Sequence, residues 1–183
     1  FSPTWMFSNM MHSAYSDRQG NLWMCTRSHG LEKVIFIDDS QFRSILLNDN
    51  IHSTISNDVR PIFEDSRGVI WVATKDGMIH LYDGSLQEKG ILTQEGTIGR
   101  GTPLRGIAYC ITEDSQQNIW IGTKGEGLYR LTPKGEGNAY TIHRIQHDPD
   151  NIYSLSDNHV YSIYEDKKGN IWVGTFGGGI NLI

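Results

Sequence analysis

The sequence predicts an all-β chain folded as a partial β-propeller of about four blades, each a four-stranded antiparallel sheet. Three observations carry that prediction. An eleven-residue pattern occurs four times, as SDRQGNLWMCT (16–26), EDSRGVIWVAT (64–74), EDSQQNIWIGT (113–123) and EDKKGNIWVGT (165–175). Its tryptophans, Trp23, Trp71, Trp120 and Trp172, are 48, 49 and 52 residues apart, a period that marks propellers and related arrays. The apolar runs between them are short, rich in Ile, Val, Tyr, Trp and Thr and bounded by Gly, Asn and Asp, and no long stretch has helical periodicity.

Each unit accounts for its strands in order. The first run ends on an acid: MMHSAYSD, VRPIFED, IAYCITED and VYSIYED. Pro61 stands where the other units have Ser13, Cys110 and Ser162. Proline gives no ladder donor and belongs on an edge strand, and the innermost strand of a blade is such an edge. The second run, NLWMCT, VIWVAT, NIWIGT or NIWVGT, is apolar on both faces. A strand of that kind must be covered twice, as it is when a blade packs between two neighbours. A third run follows (GLEKVIFI, MIHLYDG, GLYRLTP, GGINLI), and a weaker fourth completes the first three units (FRSILL, GILT, AYTIHRI). The blade units span approximately 8–48, 57–95, 106–147 and 158–183 of a single domain, with PTWMF (3–7) a candidate for the fourth strand of the last.

The turn joining the first two strands reads D-x-x-G, with Asp17/Gly20, Asp65/Gly68 and Asp166/Gly169. Asp starts a tight turn by accepting from nearby backbone N–H groups, and Gly supplies positive φ. The third unit keeps Asp114 but has Gln117 in place of Gly, which predicts a strained left-handed residue or a shift of that role to Asn118. The pairs Glu64/Asp65, Glu113/Asp114 and Glu165/Asp166 look like acid–base dyads, but adjacent strand residues point to opposite faces. The tryptophans lie inside the most apolar strands and are expected to be buried between blades. The glycines of KGEGL (124–128) and FGGGI (176–180) precede strands rather than helices, so they read as turns and not as phosphate cradles. The motif builds a blade, and its repetition argues against its being the site.

Composition narrows the function classes. The chain has 183 residues and a net charge of −5, with no basic cluster of the kind that binds nucleic acid. No run of eighteen apolar residues is present, so no spanning helix is expected, and this segment is expected to make no membrane contact. The chain begins at Phe1 and reads as an excised fragment or a processed product. Cys25 and Cys110 lie in apolar strand-like runs without metal-ligand spacing, and are expected to be buried free thiols. His143 and His147 share a face only in a helix, and they fall in predicted strand. No metal, cofactor or catalytic residue is expected.

The four copies of [E/S]-D-x-x-G-x-[I/L]-W-[V/I/M]-[G/A/C]-T, each followed by a third apolar run, resemble the two-component regulator propeller repeat. DPDNIYSLSDNHVYSIYEDKKGNIWVGTFGGGINLI is particularly close to it. The resemblance implies a β-propeller, usually seven-bladed, in the periplasmic sensor region of a bacterial hybrid two-component sensor histidine kinase and response regulator. A Y_Y_Y β-sandwich and kinase modules follow in such proteins, and many sense oligosaccharides and control polysaccharide utilisation. The alternatives are a propeller enzyme, sialidase-like or streptogramin-lyase-like, and a pure protein-interaction propeller. The D-x-x-G spacing and the Ile or Leu before Trp depart from a sialidase Asp-box.

Chain order places the turns between first and second strands on one rim and the remaining loops on the other. Ligand-binding candidates on that second rim are Arg27, His29, Lys75 and Lys124 after the second strands. Asn50, His52, Arg105 and Tyr153 come from the loops that lead into the next blade. Their donors suit hydroxyl-rich or uronic-acid sugars. An arc of four blades exposes apolar blade faces at its ends, so a homodimer joined end to end is also expected.

Overall fold

The computed structural model describes residues 10–38, 41–47, 56–135 and 138–183, which form four antiparallel sheets and no helix. The first sheet contains β1 (Met11–Ser16), β2 (Leu22–Thr26), β3 (Leu31–Phe36) and β4 (Phe42–Leu47). The second contains β5 (Val59–Glu64), β6 (Ile70–Thr74), β7 (Ile79–Tyr82), β8 (Glu88–Leu92) and β9 (Ile98–Gly99). The third is β10 (Ala108–Glu113), β11 (Ile119–Thr123), β12 (Leu128–Pro133) and β13 (Tyr140–Ile145). The fourth has β14 (Val160–Glu165), β15 (Ile171–Thr175) and β16 (Gly179–Leu182). Strands pair in sequence order within each sheet, the arrangement of propeller blades. Residues 3–7 and the candidates Asn50 and His52 lie outside the described residues.

Each of the first three blades turns its tryptophan toward the blade that follows. Trp23, Cys25 and Leu31 pack on Val59, Ile62, Ile70 and Val72 of the second blade. Trp71, Ala73, Ile79 and Leu81 meet Ala108, Ile111, Ile119 and Ile121 of the third. Trp120 and Leu128 meet Val160, Ile171 and Val173 of the fourth. Alternate residues of β6 and β11 therefore enter two different cores, which explains runs that are apolar on both faces. The approach at the third interface is close. A Cβ built on Gly122 would lie 2.6 Å from a Val160 methyl and 3.0 Å from its carbonyl oxygen. Trp172 departs from the expected burial. It is 39% exposed, against 0–3% for the other three, because the face it shares has no following blade upon it among the described residues.

The repeated Asp does more than start a turn. In each blade one carboxylate oxygen accepts from the amides two and four residues on: Gln19 and Asn21, Arg67 and Val69, Gln116 and Asn118, Lys168 and Asn170. The other oxygen takes the indole N–H six residues on, at 2.7–3.1 Å. The turn and the core tryptophan are thus fixed by one side chain. At Asp17, desolvation works against the charge, but bonds from Asn21 and Trp23 and the nearby Lys33 outweigh it and hold the carboxyl below its ordinary value. At Asp166 the Trp172 indole, followed by Asn170, does the same.

The Glu of each acidic pair has a separate task. Glu64 accepts from Arg18 N at 2.9 Å, in the turn of the preceding blade. Glu113 accepts from Ser66 N and Oγ at 2.6 and 2.7 Å, and Glu165 from Ser115 N and Oγ at 2.7 and 2.6 Å. One acid holds its own blade and its neighbour in sequence staples the blade before. The opposite-face argument therefore holds, and both residues are architectural.

Gln117 adopts φ +66°, matching +78° to +82° at Gly20, Gly68 and Gly169. Gln117→Gly is expected to raise stability by about 1 kcal/mol through relief of left-handed strain. A melting temperature that stays level or falls would contradict it. Pro61 lies on β5, the edge strand of its sheet, as expected. Cys25 and Cys110 are free, and burial pushes their thiols up, to about 11 and about 12. His143 lies in β13 and His147 beyond it.

One element has no counterpart in the sequence reading. β9, two residues long, adds a fifth strand to the second blade. Its hairpin crosses to the outer strand of the third blade, where Tyr140 N donates to Gly96 O at 2.7 Å and Ile98 N to Asn138 O at 3.0 Å. Trp71 and Tyr140 meet edge to face, at 5.7 Å between ring centroids, beneath this clasp.

Candidate functional site at the channel wall

The inner strands β1, β5, β10 and β14 are edges, and each carries a bulge at the same place. Pairing steps from Met11↔Thr26 to Ser13↔Cys25, from Ala108↔Thr123 to Cys110↔Gly122, and from Val160↔Thr175 to Ser162↔Gly174. His12, Tyr109 and Tyr161 are passed over. In β5 the step from Val59↔Thr74 to Ile62↔Val72 passes Arg60 and Pro61. A bulge releases a residue from the ladder and re-aims its side chain. Here the equivalent residues of four blades, His12, Arg60, Tyr109 and Tyr161, converge with Ser13 and Pro61 on a recess of about 300 Å³.

The two flanks of the recess differ in chemistry. On one, Asp58 gathers cationic and imidazole groups: His12 Nε2 at 3.0 Å, Arg60 Nε at 3.3 Å and Lys75 Nζ at 3.6 Å. The Arg60 Nε contact is an ion pair without hydrogen-bond geometry. On the other flank Tyr109 and Tyr161 stack at 4.6 Å, and Phe176 lies 5.8 Å beyond Tyr161. The Tyr109 side chain beside it, bonding to the phenol, raises Tyr161 above the ordinary tyrosine range, and Lys124 acts in the opposite direction. Donors facing flat aromatic rings can hold the hydroxyls and carboxylates of a ring-shaped polar ligand while stacking its apolar face. Among the described residues no His, Cys, Asp and Glu cluster suited to a metal is present.

The rim candidates divide around this recess. The loops behave as expected, because Arg27, Lys75 and Lys124 donate backbone N–H groups to Met10, Asp58 and Ile107 at the start of the adjoining inner strands. Lys75 joins the Asp58 cluster and Lys124 approaches Tyr161. Arg27 lies beside His12 in a neighbouring shallow depression. His29 bonds to Ser28 Oγ, Arg105 is exposed, and Tyr153 is 91% exposed, so these three are not brought to the recess. Sequence reasoning missed His12, Arg60, Tyr109, Tyr161 and Asp58. A signal was available: position 12 and its equivalents vary from His to Arg to Tyr inside an otherwise repeating strand.

A larger recess of about 700 Å³ lies on the outer part of the second blade, lined by His80, Glu88, Lys89 and Arg100 among others. His80 Nδ1 is 2.9 Å from Glu88, and its Nε2 is buried without a hydrogen-bond partner. The channel recess is the one built by all four blades.

Fold and repeat together define a β-propeller segment whose blades are stapled in series. The model of the two component regulator propeller family matches the repeat at residues 53–76, 105–125 and 154–177. A curated relative, Histidine kinase P4 of Formosa agariphila, is 29% identical over 175 residues, covering 93% of this chain and 12% of the relative. Two solved structures of an extracellular domain from B. thetaiotaomicron also match. One is described as a putative one component system (26% identity, TM-score 0.71) and the other as a putative hybrid two component system (27%, 0.69). Each match covers 94% of this chain and 21% of the other. The chain thus spans about an eighth of the curated relative and a fifth of the solved chains.

Proposed function

We propose that this segment is the ligand-sensing propeller of an extracytoplasmic, periplasmic region in a hybrid two-component sensor histidine kinase. Its ligand is an oligosaccharide bearing carboxylate groups, and its output is control of polysaccharide utilisation. The observation that carries the reading is the convergence of the four equivalent bulge residues on one recess, aromatic on one flank and cationic on the other. Support for the placement comes from the extracellular domains it resembles and from the kinase name of the curated relative. Arg60 in the recess, with Lys75 beside it on Asp58 and Lys124 near Tyr161, favours an anionic ligand. The segment senses without catalysis.

The test is calorimetric titration with neutral and uronate-containing oligosaccharides. Uronate oligomers are expected to bind, and Arg60→Ala to weaken them about tenfold or more, the effect of losing a bond to a charged group. Tyr161→Ala is expected to weaken all binding oligomers by a smaller factor. Equal affinity of wild type and Arg60→Ala would overturn the site, and release of product from any glycan would overturn the sensor reading.

A further inference from the structure

We propose that Asp58 sets the charge class of the ligand taken by the channel recess. Its carboxylate stands inside the cationic flank, leaves room there for one negative charge, and turns away a group that brings two. The inference rests on the ligand-sensing reading above, and it narrows the bound group to a monoanion such as a uronate, as against a phosphate monoester.

Asp58 is held in place by the backbone as well as by the cations. It immediately precedes β5, its N–H donates to Ser56 Oγ at 3.3 Å, and its carbonyl accepts from Lys75 N at 3.0 Å. The carbonyls of Met10, Ile107 and His159 take the same backbone bond in the other blades, from Arg27, Lys124 and Phe176. None of those three residues is an acid, so the repeat does not need a carboxylate at this position. The Asp58 side chain is only 13% exposed and meets groups from two blades. One of its oxygens faces His12 Nε2 and Arg60 Nε, and the other faces Lys75 Nζ.

With His12 uncharged, Arg60 and Lys75 contribute two positive charges and Asp58 removes one, so the flank carries one net positive charge. Lys124 lies by Tyr161, on the opposite flank. A single carboxylate matches that balance. A doubly charged group exceeds it and sets more like charge against Asp58, and juxtaposed like charges are a strong means of rejecting a partner. Asp58 does not close the flank to the matching ligand. Its contact with Arg60 Nε is an ion pair without a hydrogen bond, so it holds the guanidinium by charge without tying up its donors.

Two probes compare the charge classes on one kind of sugar ring: glucuronate, with a single charge, and glucose 6-phosphate, doubly charged above its second phosphate pKa of about 6. Binding is read from the Arg60 side-chain NMR signal during titration. The native protein is expected to bind glucuronate more tightly. Asp58→Asn is expected to strengthen glucose 6-phosphate by about tenfold or more and glucuronate by a smaller factor. Asp58→Glu keeps the charge and should keep the native preference. Lys75→Ala, at a side chain 60% exposed, removes one positive charge and should weaken both probes. Unchanged affinities in Lys75→Ala, unchanged glucose 6-phosphate affinity in Asp58→Asn, or glucuronate binding that falls in Asp58→Asn would overturn the inference. Glucuronate bound at Arg60 of the native protein would leave the sensing reading standing in each of those cases. Glucose 6-phosphate captured only by Asp58→Asn, with no glucuronate bound by the native protein, would keep the role of Asp58 and count against the sensing reading. Binding of neither probe by either protein would overturn both.

Discussion

Trp71→Ala is expected to destabilise the protein by about 3–5 kcal/mol in chemical denaturation, the usual range for emptying a buried tryptophan site. Trp71 is fully buried, touches the third blade across a whole interface, and has Tyr140 against its edge. The comparison with Trp172→Ala is the decisive part. That residue has the same strand position and the same bond to its turn Asp, but its outer face is uncovered. Its loss is expected to cost about 1–2 kcal/mol, mostly a net hydrogen bond and partial packing. Equal costs at the two sites would mean that interblade packing is not the source of the stability of Trp71.

Asp65→Ala carries the second large effect, about 3–5 kcal/mol, the range for removing one partner of a buried charged cluster. The Asp65 carboxylate is fully buried and accepts from Arg67 N, Val69 N, Trp71 Nε1 and the Arg67 guanidinium. Alanine strands those donors, and it also frees Arg67, which bonds in turn to Tyr140 on the next blade. Asp65→Asn should recover part of the loss, because one acceptor oxygen survives while its amide faces other donors. Urea unfolding measures both. A cost below 1 kcal/mol for alanine would show that water replaces the carboxylate and that the motif is only a turn signal.

The blade architecture was legible because it rests on local and repeated physics. Period, strand length, apolar doubling and turn chemistry are all written within about fifty residues. The left-handed Gln117 and the edge position of Pro61 follow from single-residue stereochemistry. What escaped was contact between units. The Trp-to-Asp bond over six residues needs the hairpin closed before its geometry exists, and the Glu staples need two blades docked. β9 is too short for any pattern. The channel residues escaped for a related reason. A bulge does not interrupt an apolar pattern, so His12, Arg60, Tyr109 and Tyr161 look like ordinary strand positions. The rim loops, polar and irregular, attracted attention that belonged to the wall. The expected burial of Trp172 failed because burial belongs to the neighbour as much as to the strand.

Those bulges divide the labour of the chain in a way that bears on redesign. The side chains at 12, 60, 109 and 161 stand aside from the paired ladder on edge strands, and none of the four belongs to the buried cores. Their identity is therefore less tied to the folding problem than that of the Asp, Glu and Trp of each blade, although His12–Asp58 and Tyr109–Tyr161 still bridge adjacent blades. The four positions act as a socket whose pins can be exchanged without rewiring the housing. A small combinatorial library at these positions alone should sample new ligand preferences at a smaller cost in melting temperature than changes to the buried tryptophans.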